Sequence, residues 1–378
     1  MQRDTRIAVI GAGLGGLAVA GLLQGQGFGA VTLHEQAPHF ARIGAGIILS
    51  ANGMKVLRQL GMEAALLATG IRPQAFLSRD WVSGETLYEL RLDAASEARF
   101  GAAFLNIHRA DLLQILRAAL APGTLRFGHQ LAGIEPAGGG TRLGFANGDS
   151  DVADIVIAGD GIHSRLREIL FGKAAPRFTG RLAQRAIFPA ERLRGLAVDD
   201  CTKWWGEDRH ALSYFMTAAR EEVYVMASVP GEAWDNDDLS RPLSRDAFVA
   251  SFDAATPDLR RLVAGAGEAM VWPICDRPRD DRWYQGPVVL LGDACHPVRP
   301  YMAAGGAMAI EDAAVLARCI VGLGSPAEAF AAYAETRIAR VAEVQRISLE
   351  NSWMRGPTEL DWFFGHDACA APLARAAA

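Results

Sequence analysis

The chain opens with an apolar strand that runs directly into a glycine-rich turn. Residues 7–10 read Ile-Ala-Val-Ile, and Gly-Ala-Gly-Leu-Gly-Gly follows at 11–16. A second apolar segment, 31–34, ends in Glu35. Strand, glycine turn, helix, strand and acid in this order are typical of a dinucleotide site. The sequence therefore predicts an α/β sheet that binds a dinucleotide, with an ordinary glycine-rich turn as the alternative.

Each residue of this pattern has a distinct physical task. Gly11 allows the tight turn, Gly13 lets the backbone approach a pyrophosphate, and Gly16 lets the helix lie close to the strand. The pyrophosphate then meets free N–H groups at the helix N-terminus. Glu35 is expected to bond the hydroxyls of an adenosine ribose.

The composition excludes several classes of protein. Half of the 378 residues are hydrophobic, a fifth are charged, and the net charge is −5. Without a basic tract, we expect neither nucleic acid nor a membrane surface as a partner. No apolar run reaches the roughly 18–20 residues of a membrane span. The cysteines are scattered and lack metal-binding spacing, at positions 201, 275, 295, 319 and 369.

These features predict a cytoplasmic protein with reduced thiols. The first strand begins within a few residues of the N-terminus, so we expect no signal peptide. Both a monomer and a homodimer are compatible with the sequence.

The pattern of segments predicts two interleaved domains. A Rossmann-like domain is expected from the discontinuous segments 1–72, 97–175 and 276–378. A mainly β domain is expected from the inserted segments 73–96 and 176–275. A capping box at Ser325 and Glu328 predicts the start of a long C-terminal helix.

Two further turns follow buried strands. Gly159-Asp160-Gly161 follows one, and Gly292-Asp293 follows the segment 288–291. Ligands of such sheets bind beyond the carboxyl ends of the strands, where Asp160 and Asp293 can accept from sugar or ribityl hydroxyls. Aspartate next to glycine is also common in turns without any ligand.

These motifs resemble those of the flavoprotein aromatic hydroxylases with the para-hydroxybenzoate hydroxylase fold. The family's three motifs occur here in order, as GAGLGG, as DIVIAGDGIHSRLR and as LLGDACHPVRPYMAAGGAMAIEDA. The resemblance implies FAD as cofactor. It also places Arg42 and Gly46 in a flavin-facing loop, Arg109 at the flavin, and Gly305 and Gly306 at the start of a helix aimed at the flavin.

Within that family the chain is most similar to the 6-hydroxynicotinate 3-monooxygenases, and more distantly to salicylate hydroxylase. The similarity rests on CTKWWGEDRH at 201–210 and on Tyr214, and it places Cys201, His210 and Tyr214 in the substrate pocket. Three pocket positions differ from the expected pattern. Ile48 and the residue after Pro300, which is Tyr301, replace histidines, and Ala304 replaces a glutamine. These differences put the substrate in doubt.

The resemblance also implies the chemistry. With a single nucleotide motif, NADH or NADPH is expected to visit only transiently. The flavin hydroperoxide of such enzymes attacks an electron-rich ring carbon, and a base that removes a hydroxyl proton raises that electron density. His210 is the candidate base or anion-binding group, with Tyr214 as a relay. From the residues alone, a structural histidine is the favoured interpretation of His210, and Cys201 is equally readable as a small core residue.

We therefore expect an FAD-dependent monooxygenase. It would use O2 and NAD(P)H to hydroxylate a hydroxylated aromatic or pyridine carboxylic acid, with decarboxylation as one variant. The alternatives are a flavoprotein oxidase or reductase without oxygen insertion, and a flavin-binding protein without activity.

Overall fold

The computed structural model describes residues 1–42, 45–234 and 239–374. Ile43 and Gly44 of the predicted flavin-facing loop lie outside the described residues. The strands in chain order are β1 Ile7–Ile10, β2 Val31–His34, β3 Gly46–Leu49, β4 Ala75–Asp80, β5 Thr86–Arg91, β6 Leu105–His108, β7 Leu125–Arg126, β8 Leu131–Ala137, β9 Gly140–Phe145, β10 Ser150–Ala153, β11 Ile155–Ala158, β12 Arg177–Pro189, β13 Cys201–Trp205, β14 His210–Phe215, β15 Glu222–Pro230, β16 Arg241–Leu243, β17 Ala269–Asp276, β18 Tyr284–Gln285 and β19 Val288–Leu290.

The helices connect these strands and cover the sheets. They are α1 Leu14–Gly25, α2 Ala51–Gln59, α3 Glu63–Thr69, α4 Ala94–Phe100, α5 Arg109–Ala118, α6 Arg165–Phe171, α7 Arg245–Ala250, α8 Pro257–Val263, α9 Gly305–Gly322, α10 Pro326–Glu350 and α11 Asp361–Phe364. Short 3-10 turns span Ala190–Leu193, Gly292–Ala294 and Pro300–Met302. Of the helices in the described ranges, none combines the length and apolarity that crossing a bilayer requires.

The first sheet has the strand order β18-β19-β11-β1-β2-β7. Its central strands β19, β11, β1, β2 and β7 run parallel, so their carboxyl ends meet at one edge. Strands β1, β11 and β19 are buried along their whole length, as expected for a parallel sheet covered by helices on both faces. Helix α9 packs against α1 and α10. The long helix begins at the predicted capping box.

A second sheet of eight strands has the order β16-β17-β12-β15-β14-β13-β4-β5. Its pairs are antiparallel except β13–β4, which is parallel. Together with the first sheet and α10, it confirms the predicted α/β class with an inserted mainly β part and a long C-terminal helix. The bounds of the two domains stay a prediction.

The inserted segment 73–96 carries strands β4 and β5 and ends in the first turn of α4, which begins at Ala94. The Asp93 carboxylate accepts hydrogen bonds from the N–H groups of Ala95 and Ser96, each at 3.1 Å. Such a cap satisfies the free N–H groups of a first helical turn and so favours a helix here.

Candidate active site

A groove lies beyond the carboxyl ends of β1, β11 and β19. At two positions of the groove, neighbouring backbone segments approach so closely that a side chain would not fit. Gly11 has φ = +96°, and a β-carbon there would overlap the carbonyl of Gly159. A β-carbon at Gly16 would overlap the carbonyl of Gly11. Gly13 differs, because none of the described atoms lies within 4 Å of the place where its β-carbon would stand. Gly13 thus faces open groove, as predicted for the residue that approaches a pyrophosphate.

Glu35 is held at the end of β2 by the glycine turn. One carboxylate oxygen accepts from the N–H of Ala12 at 2.9 Å, and the other from Ala37 at 2.9 Å. The turn and the acid are therefore fixed relative to each other.

Arg109 and Asp293 both line the groove. Burial raises the pKa of the Asp293 carboxyl, and the nearby Asp312 raises it further. The charges of His296 and Arg109 lower it. Burial lowers the pKa of Arg109 in turn, while Glu35 and Asp293 raise it. The groove thus contains a cation and a carboxylate that influence each other's pKa in a partly desolvated space.

Asp160 points toward α6 rather than along the groove. Its Oδ2 accepts from the N–H of Leu166 at 3.2 Å, and burial raises its pKa. Its Oδ1 is buried and finds no hydrogen-bond partner among the described residues. The flanking Gly159 and Gly161 line the groove. An unsatisfied acceptor next to a polar ligand groove suits a ligand hydroxyl.

Arg42 makes two ion pairs and is not among the side chains that line the groove. Its guanidinium contacts Asp111 at 2.6 Å and Glu222 at 2.6 Å. These pairs join α5 to strand β15 of the second sheet, so the predicted contact of Arg42 with a flavin stays a prediction. Gly46, at the end of the same loop, lines the groove.

The amino end of α9 closes the groove. Gly305 and Gly306 line it, and the helix that they begin has 18 residues. The free N–H groups and the dipole of a helix this long favour negative charge at this end.

An enclosed, largely apolar cavity adjoins the groove. The two share the wall residues Ile48, Leu212, Met226, Pro300 and Ala303. The cavity also takes in the predicted pocket residues Cys201, His210 and Tyr301. A ring in this cavity would therefore lie next to whatever occupies the groove.

His210 is buried in the cavity wall with one ring nitrogen unsatisfied. Its Nδ1 is 3.3 Å from the side-chain nitrogen of Asn351, and Nε2 has no partner in the described part of the chain. The ring packs edge-on against Tyr301, with centroids 5.2 Å apart. Burial and the charges of Lys203 and Arg181 lower the pKa of His210 well below its usual range, so the ring is neutral.

Tyr214 does not fit the predicted relay. It lies on the same strand as His210, four residues further on, which places it roughly 13 Å away. It lines the groove, whereas His210 lines the cavity. A direct proton transfer between the two is therefore excluded. Tyr214 packs instead against Tyr224, with ring centroids 4.9 Å apart.

Cys201 is buried opposite Tyr214 and lines the cavity. Burial raises the pKa of its thiol, so it presents a neutral thiol rather than a thiolate. All five cysteines are free.

Comparison with known proteins agrees with this geometry. The sequence profile of the FAD binding domain family matches residues 4–348 of the chain. The chain belongs to this family. It is 44% identical to 6-hydroxynicotinate 3-monooxygenase of Bordetella bronchiseptica over 376 residues, which is 99% of this chain and 98% of that protein.

Two further comparisons support the same family. The chain is 36% identical to 3-amino-4-hydroxybenzoate 2-monooxygenase of Streptomyces cremeus, over 92% of this chain and 86% of that protein. The structure of HpxO from Klebsiella pneumoniae, solved with FAD and uric acid, superposes with a TM-score of 0.82 at 26% identity. The match covers 96% of this chain and 91% of HpxO.

The groove fits the FAD that this family binds. Gly13 leaves space for a pyrophosphate, Asp160 has an unsatisfied oxygen, and the Asp293 carboxylate faces the groove. Beneath the groove, buried Asp312 accepts from the N–H of Gly292 at 3.1 Å and pairs with His296 at 2.5 Å. Through Asp312, His296 is a structural residue that helps to position the Gly292–Asp293 turn.

Sequence reasoning missed three polar residues of this FAD-binding chain. Lys203 and Asn106 line the cavity, and Arg185 lines the groove. The sequence did mark Lys203, because it is the one charged residue in a strand whose other members are apolar, aromatic or threonine. Asn106 and Arg185 lie on strands without such a contrast, and their exposure to the site follows from tertiary structure.

Proposed function

We propose that this FAD-dependent aromatic-ring monooxygenase acts on a hydroxylated aromatic or pyridine carboxylic acid, with NADH or NADPH as a transient reductant. The observation that carries the proposal is the enclosed cavity, whose apolar walls hold a neutral histidine and which shares a wall with the groove. The two relatives above are named for substrates that each combine a ring, a hydroxyl and a carboxylate.

Bound FAD supplies the transfer of electrons from the nicotinamide to O2 and of one oxygen atom to the ring. The chain's own task is to bind and activate the substrate. The unsatisfied Nε2 of His210 can accept the proton of a ring hydroxyl, which raises the electron density of the ring. The resulting imidazolium and oxyanion attract each other strongly in this buried site, and that attraction offsets the cost of burying the imidazolium.

Other groups exclude water and stabilise charge. The edge-on Tyr301 ring and the shared apolar wall separate the cavity from solvent. At the groove, the free N–H groups at the amino end of α9 stabilise negative charge.

The cavity differs at one end from the pattern that the resemblance implies. Ile48 and Tyr301 stand where histidines are expected, which makes that end more apolar. We therefore expect a substrate that differs from 6-hydroxynicotinate in at least one polar substituent. Where the hydroxylated carbon carries the carboxylate, the reaction also releases carbon dioxide.

The experiment is a screen of hydroxylated benzoates and pyridine carboxylates with the FAD-loaded protein. We expect at least one acid to stimulate NADH or NADPH oxidation and to give a product that contains one oxygen atom from labelled O2. A product that forms without nicotinamide and without label would indicate an oxidase instead. Efficient turnover of 6-hydroxynicotinate would contradict the expected difference in polar substituent.

A further inference from the structure

Lys203 places an ammonium group in the wall of the substrate cavity. It lies in the middle of β13, is 4% exposed, and lines the cavity. Its Nζ donates to the backbone carbonyl of Tyr301 at 3.0 Å and lies over the Trp205 ring, 3.8 Å from the centroid. Since an ammonium has three donors, the hydrogen bond and the ring contact leave one donor for a ligand.

The charge of Lys203 has no counter-ion in the described part of the chain. Within residues 1–42, 45–234 and 239–374, no carboxylate lies within the 4.0 Å of an ion pair with Nζ. The facing titratable and charged groups are His210, which is neutral, and Arg355, which lies over the same Trp205 ring at 5.7 Å. Burial lowers the pKa of Lys203 to about 7.

The hydrogen bond to Tyr301 and the contact with the Trp205 ring offset only part of the cost of burying this ammonium. An unpaired buried ammonium destabilises a fold, and a methionine of similar length would fill the same space without that cost. Most buried cations in proteins are paired, as Arg337 is here with Glu311 and Asp312, at 2.6 and 2.7 Å. Lys203 instead remains unpaired next to an enclosed cavity, which is the arrangement expected of a site that awaits an anion.

The register of the sheet sets the distance between Lys203 and the candidate base. Lys203 pairs with Leu212 across the β13–β14 ladder, and His210 pairs with Trp205. Lys203 and His210 are therefore diagonal neighbours on one face, with backbones about 7–8 Å apart. Two such groups on one face of the sheet and in the wall of one cavity suit an aromatic acid, whose carboxylate and hydroxyl are separate substituents of the ring.

We propose that Lys203 is the anion anchor of the substrate cavity and binds the carboxylate of the aromatic acid through Nζ. The inference rests on the proposed function and adds the residue that selects an acid over a neutral ring. With the carboxylate held at Lys203 and the hydroxyl at His210, the ring has a defined orientation toward the groove.

The test measures binding rather than turnover. The probes are two acid–amide pairs, 6-hydroxynicotinate with 6-hydroxynicotinamide, and 4-hydroxybenzoate with 4-hydroxybenzamide. Dissociation constants are measured with the FAD-loaded protein from changes in the flavin spectrum. We expect Lys203→Met to weaken binding of the acid by about 10- to 100-fold, the scale of a lost charged hydrogen bond, and to change binding of the amide little.

Two further variants separate an anchor from a structural residue. Lys173→Met makes the same substitution at an exposed lysine and should leave both constants unchanged. Lys203→Arg keeps the charge and should restore part of the preference for the acid. FAD content and melting temperature are measured alongside, and Lys203→Met should melt at or above the wild-type temperature at pH 6.

Each contrary outcome has a distinct meaning. Equal weakening of acid and amide, together with a lower melting temperature, would show that Lys203 is structural and overturn the anchor. Unchanged preference for the acid in Lys203→Met would overturn it as well, while the proposed function stands. Where the wild-type protein binds neither probe acid, the comparison is made with the acid that stimulates NADH or NADPH oxidation in the screen and with its amide. If no acid of the screen binds, the proposed function is overturned and the anchor with it.

Discussion

The phenol ring of Tyr214 rests directly on the backbone of Gly46. A β-carbon at residue 46 would lie 2.5 Å from both Cε2 and the hydroxyl oxygen of that ring. Gly46 begins β3, and Tyr214 belongs to β14 of the eight-stranded sheet. This contact therefore joins a strand beside the flavin groove to the sheet that carries the substrate cavity.

Gly46→Ala should accordingly disturb both the fold and the groove. Tyr214 is buried against Tyr224 and has little room to yield, so we expect a loss of about 1–3 kcal/mol in the free energy of unfolding. FAD retention should weaken in parallel. The measurement is denaturant unfolding together with FAD titration. In a Tyr214→Ala background, Gly46→Ala should lower the free energy of unfolding much less. If the loss is as large in that background, another contact is responsible.

Gly13→Val should separate cofactor binding from folding. Because the described protein leaves open space at this position, the valine should be tolerated by the fold but should occupy the approach of the pyrophosphate. We expect a purified protein without yellow colour whose far-ultraviolet circular dichroism resembles that of the wild type. Gly16→Val is the matched control, and it should reduce folding itself because its side chain meets the Gly11 carbonyl. Full FAD content in Gly13→Val would contradict the placement of the pyrophosphate.

Asp293→Ala should weaken FAD retention by about 1–3 kcal/mol, the scale of a lost hydrogen bond to a charged group. The reason is the position of its carboxylate in the groove at the end of β19. Asp293→Asn keeps an acceptor and should lose less. The measurement is FAD dissociation by fluorescence, and an unchanged affinity would leave Asp293 with a turn-forming role alone.

His210→Ala should affect hydroxylation without affecting the cofactor. If Nε2 accepts the hydroxyl proton, its removal should lower hydroxylation by about 10²-fold or more. Hydrogen peroxide released per NADH should rise, because an unactivated ring no longer traps the oxygen. Product, peroxide and NADH are measured together, with His39→Ala as an exposed control. Tightly coupled turnover in His210→Ala would remove this residue from the mechanism.

The affinity for an aromatic acid should depend on pH through the protonation state of Lys203. With its pKa lowered by burial to about 7, the side chain is charged below that pH and neutral above it. Affinity for an aromatic acid should therefore be constant below pH 7 and fall as the pH rises further, by up to about tenfold per pH unit. Affinity for the corresponding amide, and affinity of Lys203→Met for the acid, should show no such fall.

The lowered pKa of Lys203 also determines the direction in which the free energy of unfolding changes with pH. Folded Lys203 loses its proton near pH 7, whereas the ordinary pKa of lysine is 10.5, so the unfolded chain holds more protons between these values. The free energy of unfolding of the wild type should thus rise with pH over this range relative to Lys203→Met. If the difference in free energy of unfolding between the wild type and Lys203→Met stays constant with pH over this range, Lys203 titrates as an ordinary lysine.

The parts of the site that depend on local pattern can be predicted from the sequence. The glycine turn at 11–16, the acid that ends β2 and the capping box at Ser325 can each be read from a few neighbouring residues. Steric limits on backbone conformation and the hydrogen-bond needs of helix ends act over such short distances. The cofactor class and the architecture followed from these motifs and their order.

Tertiary structure alone decided which side chains share the cavity. Lys203 and Asn106 are separated in sequence but meet there, whereas His210 and Tyr214, four residues apart, face different spaces. The distance between two side chains of a segment depends on whether the segment is a strand or a helix. Burial determines the charge state of those side chains. Both depend on contacts between distant segments, which is why the sequence shows a lysine within a strand but only the folded chain shows that it has no counter-ion among the described residues.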